Sequence, residues 1–458
     1  MRACLLAGLA AALSGAGLAA SFDVTAYGAK GDGRTVDTAA IQAAVDAAAK
    51  AGGGRVVVPR GTFVSGTVWL KSRVELHLAA GAVLKGSIRQ ADYNANDAFP
   101  ENFWSKDEQW SGGHLVCGYK VEDVAITADG EGAERGTIDG SGPAFFSPYP
   151  DVDSYFPSYK YGCKEHPLDR TWFRPGPMVA FFLSKGIRLE GVRLAFTPCW
   201  TLHIRCSSDV TIRRVDVAAD RTVGNSDGFS IDCTRNVTIE DCSLATGDDG
   251  IAIRASCRLH AAEHPTEHVR VRNCTVRSCA CGVRVGVGSG TIRDVVIADS
   301  VFPETSRGVS FQPAWRKQGK NVYISDVTVT NCAFYEQSLP VRVFMPDGDS
   351  RVENVLVKDC VFEALEPNQV ISKGHPQAIV RNVRFENCTH RPIERLRVCH
   401  NYLWMTYWEK KHKEQEGQFL IAGCESNNVT MVNCRLLPKV EVSTSQGLPP
   451  NETQDRGI

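Results

Sequence analysis

Nearly the same seven residues recur through the second half of the chain, and that repetition limits the fold more than any other feature. Asn236-Val-Thr-Ile-Glu-Asp-Cys242 returns at His268 to Cys274, Asp326 to Cys332, Asn354 to Cys360, Asn382 to Cys388 and Asn428 to Cys434. A weakened copy runs from Asp294 to Ser300, and most successive copies are 26 to 32 residues apart. That is the period of a solenoid, not the pattern of separate globular domains. Within each copy apolar and polar residues alternate, as in a short strand with one buried face. Strands stacked at this period form an all-β parallel β-helix, so residues at equivalent positions lie one above another.

The rest of the chain agrees with one long coil. Forty-one glycines and many Val, Ile and Thr residues suit short strands joined by tight turns. A net charge of −1 gives no reason to expect nucleic acid or an anionic membrane as partner. Arg2, the apolar stretch Leu5 to Leu13 and Gly17-Leu-Ala-Ala20 read as a signal peptide over residues 1–20. The mature protein is therefore expected to be exported, extracellular or periplasmic, and to act as a monomer. Cys242, Cys274, Cys332, Cys360, Cys388 and Cys434 all close the same repeat, which predicts a ladder of mostly free thiols instead of disulfides.

Residues 21–438 are read as a single catalytic domain. Ile41, Ala44, Val45 and Ala48 recur at helical spacing before Gly52-Gly-Gly54, predicting a short helix that caps the open first rung. The pattern breaks near 88–120 and 143–176, where two loops are expected to shape a cleft. Their Trp104, Trp110, Phe145, Tyr155 and Tyr159 either stack on sugar faces or pack on the coil wall. The tail 439–458 is polar and has no assigned role.

A second repeat carries chemistry. Asp227-Gly-Phe-Ser-Ile231, Asp249-Gly-Ile-Ala-Ile253, Cys281-Gly-Val-Arg-Val285 and Arg307-Gly-Val-Ser-Phe311 each set a glycine before a short strand. If the glycines are equivalent, Asp227, Asp249, Cys281 and Arg307 form a column, and Asp248 joins two of them in one patch. Strands lie about 4.8 Å apart, so three carboxylates would crowd together, and at least one is expected to hold its proton near neutrality. A protonated acid beside ionised neighbours is what glycosidic hydrolysis requires. A lone Asp-Gly reads more simply as a turn that caps backbone amides. Three aspartates meeting on adjacent rungs do not.

At these residues the chain resembles glycoside hydrolase family 28, the polygalacturonases and their relatives. The likeness runs from Phe22 to about residue 390. It includes Gly136-Thr-Ile-Asp-Gly140, Pro198-Cys-Trp-Thr-Leu-His203, Asn225-Ser-Asp-Gly228 and Gly247-Asp-Asp-Gly-Ile-Ala-Ile-Arg254. The resemblance implies a right-handed coil, cofactor-free and metal-free hydrolysis of a pectin-like polysaccharide with inversion, Asp248 as general acid, and Asp227 and Asp249 activating water. One rung is shorter than the usual inverting gap of about 6.5–9.5 Å, so the side chains are expected to splay.

Two family motifs are replaced. The Gly-His-Gly turn aligns with Ala280-Cys281-Gly282, and the Arg-Ile-Lys strand that grips the galacturonate carboxylate aligns with Ser310-Phe311-Gln312. Strict polygalacturonase activity is therefore not expected. The expected substrate contacts are Asn225, Arg254, Cys281, Arg284, Arg307 and Gln312. The three arginines either replace the lost cations or lie on a solvated surface. Two other readings remain open at this level: a lyase whose aspartates hold Ca²⁺ with Arg254 or Arg284 as base, and a glycan-binding coil without turnover.

Overall fold

The computed structural model describes residues 20–95, 98–99, 112–145, 174–221, 224–256, 264–312, 322–345, 350–372, 379–394, 419–422 and 429–439. These wind into a right-handed parallel β-helix with three sheets of 13, 13 and 11 strands. Eleven rungs contribute one strand to each sheet, and the first and last contribute to the first two sheets only. The heptapeptide repeat supplies the first sheet: Val210, Val237 and Val269 stand directly opposite one another, and Ile212, Ile239 and Val271 do the same. These residues are buried to within 2 % of complete, so the repeat is the coil's core seen from one side.

The polar ends of the repeat have their own cause. Its first residue takes a left-handed backbone at Asn236, His268, Asp294, Asp326, Asn354 and Asn382, with φ between 51° and 56°. Its next-to-last residue does likewise at Asp241, Asn273, Asp299, Asn331, Asp359 and Asn387. Asn and Asp tolerate this region better than most side chains. They also bond up the stack: Asn354 Nδ2 donates to Asp326 Oδ1 at 2.9 Å, and Asn382 Nδ2 to Asn354 Oδ1 at 2.9 Å.

The thiol ladder forms as expected. Cys242, Cys274, Cys332, Cys360 and Cys388 are buried, and every cysteine among the described residues is unbridged. Each ladder Sγ donates to the backbone of its own rung, as Cys332 does to Thr330 O at 3.2 Å. In the weakened copy, Ser300 takes the same place and donates to Ala298 O at 2.7 Å.

Helix α1, Thr38–Lys50, covers the first rung and buries Ile41, Ala44, Val45 and Ala48. Asp37, just before it, accepts the amides of Lys30 (2.7 Å) and Gly31 (3.0 Å), so it anchors the incoming loop instead of capping α1 with its side chain. The loop expected near 88–120 ends sooner than its sequence suggests, because Val116–Tyr119 is a strand of the third sheet. Phe145 lies in a short 3-10 helix and is buried, in favour of wall packing. Trp104, Trp110, Tyr155 and Tyr159, most of the proposed leader and residues 440–458 lie outside the described residues. No helix among the described residues is long and apolar enough to cross a membrane.

Candidate active site

The candidate residues lie along the third sheet. Its strands Phe229–Asp232, Ile251–Ala255, Cys281–Gly288 and Arg307–Phe311 pair in parallel, with Phe229 opposite Ile251, Ile251 opposite Val283, and Cys281 opposite Arg307. That register puts Asp227 beside Asp249, Asp249 beside Cys281 and Cys281 beside Arg307. The expected column exists. Glycine is needed beneath it: a Cβ on Gly250 would lie 2.7 Å from the Gly282 carbonyl of the next rung.

Asp227, Asp248 and Asp249 each place a carboxylate oxygen within 4.8 Å of the other two. The expected splay is absent at this contact. Asp227 and Asp249 are 1 % and 2 % exposed, whereas Asp248 is half-buried. Burial of two carboxylates is strongly unfavourable without compensation. Guanidinium groups provide it. Arg254 Nη2 lies 2.8 Å from Asp227 Oδ2 and 3.8 Å from Asp249 Oδ2. Arg284 grips Asp249 with two nitrogens, Nε on one oxygen and Nη2 on the other at 2.9 Å.

These contacts decide the charge of Asp249. Burial alone would raise its pKa, but Arg284, then Arg254, outweigh that effect and hold it below the ordinary aspartate range. Crowding is thus relieved at Asp249 by cations, not by a proton. Asp248 sits differently. Its Oδ2 accepts the Asn225 amide at 3.2 Å and its Oδ1 accepts the Asp249 amide at 2.9 Å. Thr246 and Ser278 hydroxyls both donate to the Asp248 carbonyl at 2.6 Å, fixing the backbone that presents the carboxyl.

The remaining expected residues gather here as well. Asn225 adopts φ 55° and turns its amide onto Asp248. Gln312 Oε1 accepts from Arg284 Nη1 at 3.2 Å, and Arg307 Nη1 lies 3.6 Å from Cys281 Sγ. Burial pushes the Cys281 thiol up, more than Arg284 and Arg307 draw it down. Arg254, Arg284 and Arg307 are only 5–7 % exposed, which rules out a solvated surface for them.

Two groups carry more than their sequence positions suggested. Trp200 stands opposite Asp227 by register, and the Arg254 guanidinium lies 4.1 Å from its ring centroid. His203, Asp232 and Ser256 form a buried polar cluster further along the same strands, on three successive rungs that begin with that of Trp200. Ser256 N donates to Asp232 Oδ1 at 2.7 Å, and His203 Nε2 lies 3.6 Å from Asp232 Oδ2. Burial lowers His203 to about 4, so its ring is neutral at ordinary pH. Both were legible in part, since Trp200 and His203 fall inside a motif already singled out.

Comparison with known proteins settles the family. The profile of glycosyl hydrolases family 28 matches residues 102–367, more than half of the chain. The chain belongs to this family. Residues 21–114 match a second profile, rhamnogalacturonase A/epimerase, pectate lyase-like. A probable polygalacturonase of Vitis vinifera is 27% identical over 66% of this chain, and the match spans 59% of that protein. An exo-poly-alpha-D-galacturonosidase of Dickeya chrysanthemi is 26% identical over 82% of this chain and 69% of its own length. Among solved structures, the family 28 exopolygalacturonase of Yersinia enterocolitica superposes with TM-score 0.64 at 18% identity, covering 92% of this chain and 78% of its own. The Streptococcus pneumoniae surface adhesin PfbA gives TM-score 0.60 at 16% identity, covering 91% and 90%. The coil therefore serves as a scaffold for proteins of quite different description.

Proposed function

We propose that this protein hydrolyses glycosidic bonds of a pectin-like, acid-bearing polysaccharide, with Asp248 as general acid and Asp227 and Asp249 as the pair that activates water. The observation that carries this reading is the division of the three carboxylates. Asp227 and Asp249 are buried against Arg254 and Arg284, while Asp248 is half-exposed beside them. Two adjacent carboxylates accept hydrogen bonds from one water molecule and direct its lone pair at the anomeric carbon; one of them takes a proton as the C–O bond forms, and the other proton stays on the new hydroxyl. Asp248, on the open side, protonates the departing oxygen. Inversion follows if water is the nucleophile.

The substrate is expected to carry carboxylates because Arg254, Arg284 and Arg307 converge on this patch. Ser310 and Gln312 stand where polygalacturonases place cations, which argues against strict specificity for polygalacturonate. Arg284 does not suit the role of a lyase base: burial opposes its charge, but Asp249 outweighs this and raises its pKa. The aspartates it and Arg254 hold are those a Ca²⁺ ion would need. The names of the relatives favour a polysaccharide substrate, and residues 1–20, read as a leader, favour action outside the cell.

Reducing-end release from polygalacturonate, rhamnogalacturonan, xylogalacturonan and a neutral glycan tests this reading. Wild type should act on at least one acidic glycan, and Asp248→Asn should lose about 10²–10⁴-fold in kcat. Equal rates for the two proteins would remove the proposed acid.

A further inference from the structure

The basic face does not stop at Arg307. The third-sheet register places Arg284, Ser310, Arg342 and Gln369 directly opposite one another on successive strands, the last two on Leu339–Met345 and Asn368–Ser372. Arg342 thus continues the outward column of Arg284, two strand spacings of ~4.8 Å further on, or about 10 Å. It is half-buried, and its guanidinium lies over Phe344, 4.2 Å from the ring centroid. Phe344 is also half-exposed and, two residues along, faces the same way. A guanidinium stacked on an aromatic face has its plane fixed by the ring, and carboxylates pair with such a group through its edge.

Glu366 completes the group. It is 5 % exposed, and Gln369 Nε2 donates to its Oε2 at 2.7 Å. The charges acting on it are Arg342 and Arg307, from the two preceding third-sheet strands, while Gln369 lies on the strand that Glu366 leads into. Burial raises Glu366 to about 7 despite those cations. Burial also lowers Arg342 to about 10, with Arg307 and Arg284 adding to the effect. Cations here are crowded, and the internal carboxylate that would balance them is half-protonated near neutrality. An external carboxylate would relieve the imbalance.

We propose that Arg342, stacked on Phe344 and backed by Glu366, is a second acidic-sugar subsite that holds a uronate carboxylate away from the scissile bond. It rests on the reading that the groove binds an acidic polysaccharide. The subsite selects chains with a uronate beyond the sugars that share the cleaved bond, whatever lies at the Ser310 and Gln312 positions between. Glu366 competes with that carboxylate for the same cations. Its pKa is raised above the unfolded value, so it is neutral below about 7 and charged above. Binding at this subsite therefore weakens as pH rises through that range.

Calorimetric binding to the Asp248→Asn protein tests the subsite without turnover. The probes are a galacturonate oligosaccharide several sugars long and the same oligosaccharide with its carboxyls reduced to alcohols. Arg342→Gln should weaken binding of the charged probe about tenfold or more and leave the reduced probe unchanged, with partial recovery in Arg342→Lys. Glu366→Gln should bind the charged probe more tightly at about pH 8 and lose most of the difference between about pH 6 and pH 8. Equal loss for both probes, or Glu366→Gln behaving as the parent at both pH values, overturns the proposal. In the turnover assay Arg342→Gln should raise KM and spare kcat. If the charged probe binds as described but the wild-type protein releases reducing ends from none of the acidic glycans, the hydrolase reading fails while the subsite stands.

Discussion

Two faces of the same coil follow opposite rules. Along the first sheet and its corner each rung nearly copies the last, with Asn or Asp recurring at one position save for His268 and Cys at another save for Ser300. Along the third sheet the column changes at every step: Trp200, Asp227, Asp249, Cys281, Arg307, Leu339. A copied column satisfies each backbone turn in the same way and spreads stability over many equivalent contacts. A column that differs at each rung sets unlike charges about 4.8 Å apart, which is how the coil builds a site. Substitutions should therefore be severe on the second face and mild on the first.

The largest effect is expected at Arg284. Arg284→Gln leaves Asp249 buried without its bidentate partner, a change that costs about 3–5 kcal/mol when a buried pair is broken. Thermal unfolding should show it, and kcat should fall along with stability. The pH profile should shift too. In the parent, Asp249 is held below its ordinary value, so the pair's stabilisation is present above the unfolded pKa and is lost as pH falls through the lower folded one. In Arg284→Gln the acid limb of kcat should move to higher pH.

A smaller loss is expected on the copied face. Asn354 has φ 56° and links Asp326 to Asn382 in the surface stack. A β-branched residue tolerates that backbone poorly, so Asn354→Val should cost about 1–3 kcal/mol by denaturant unfolding, with kcat unchanged. The smallest effect belongs to Cys332→Ser. Ser300 already occupies this position one copy earlier and makes the same backbone bond, so the change should stay within about 1 kcal/mol in chemical denaturation. Were Cys332→Ser as damaging as Arg284→Gln, the contrast between the faces would be lost.

The copied face was legible because its signal is periodic. Val237, Val269 and the ladder cysteines occur at equal offsets, and equal offsets fix register. The aspartate column followed from the same reasoning, since Gly228, Gly250, Gly282 and Gly308 mark one turn. The partners of the aspartates did not. Register sets Arg254 opposite Asp232, yet its long side chain lies back along the strand and ends at Asp227. Backbone spacing gives where a Cα stands, not where a flexible guanidinium stops. Arg342 escaped for a related reason: it lies beyond the motifs that drew attention, in a strand with no aspartate to mark it. The early end of the 88–120 loop was hidden because Val116–Tyr119 is a short strand without the heptapeptide signature.

The stereochemistry of the first product tests the central claim most directly. Asp227, Asp248 and Asp249 have nearest oxygens within 4.8 Å, closer than the carboxyl spacing usual for inversion and nearer to that of retaining enzymes. Yet two of the three are tied to arginines, which suits them to orient water more than to bond to carbon. Proton NMR during the first moments of hydrolysis should show a newly formed reducing end of the opposite anomeric configuration to the bond that was cut. A first product with configuration retained would mean that Asp227 or Asp249 attacks the sugar itself, and the arginine-held water pair would not be the nucleophilic machinery of this site.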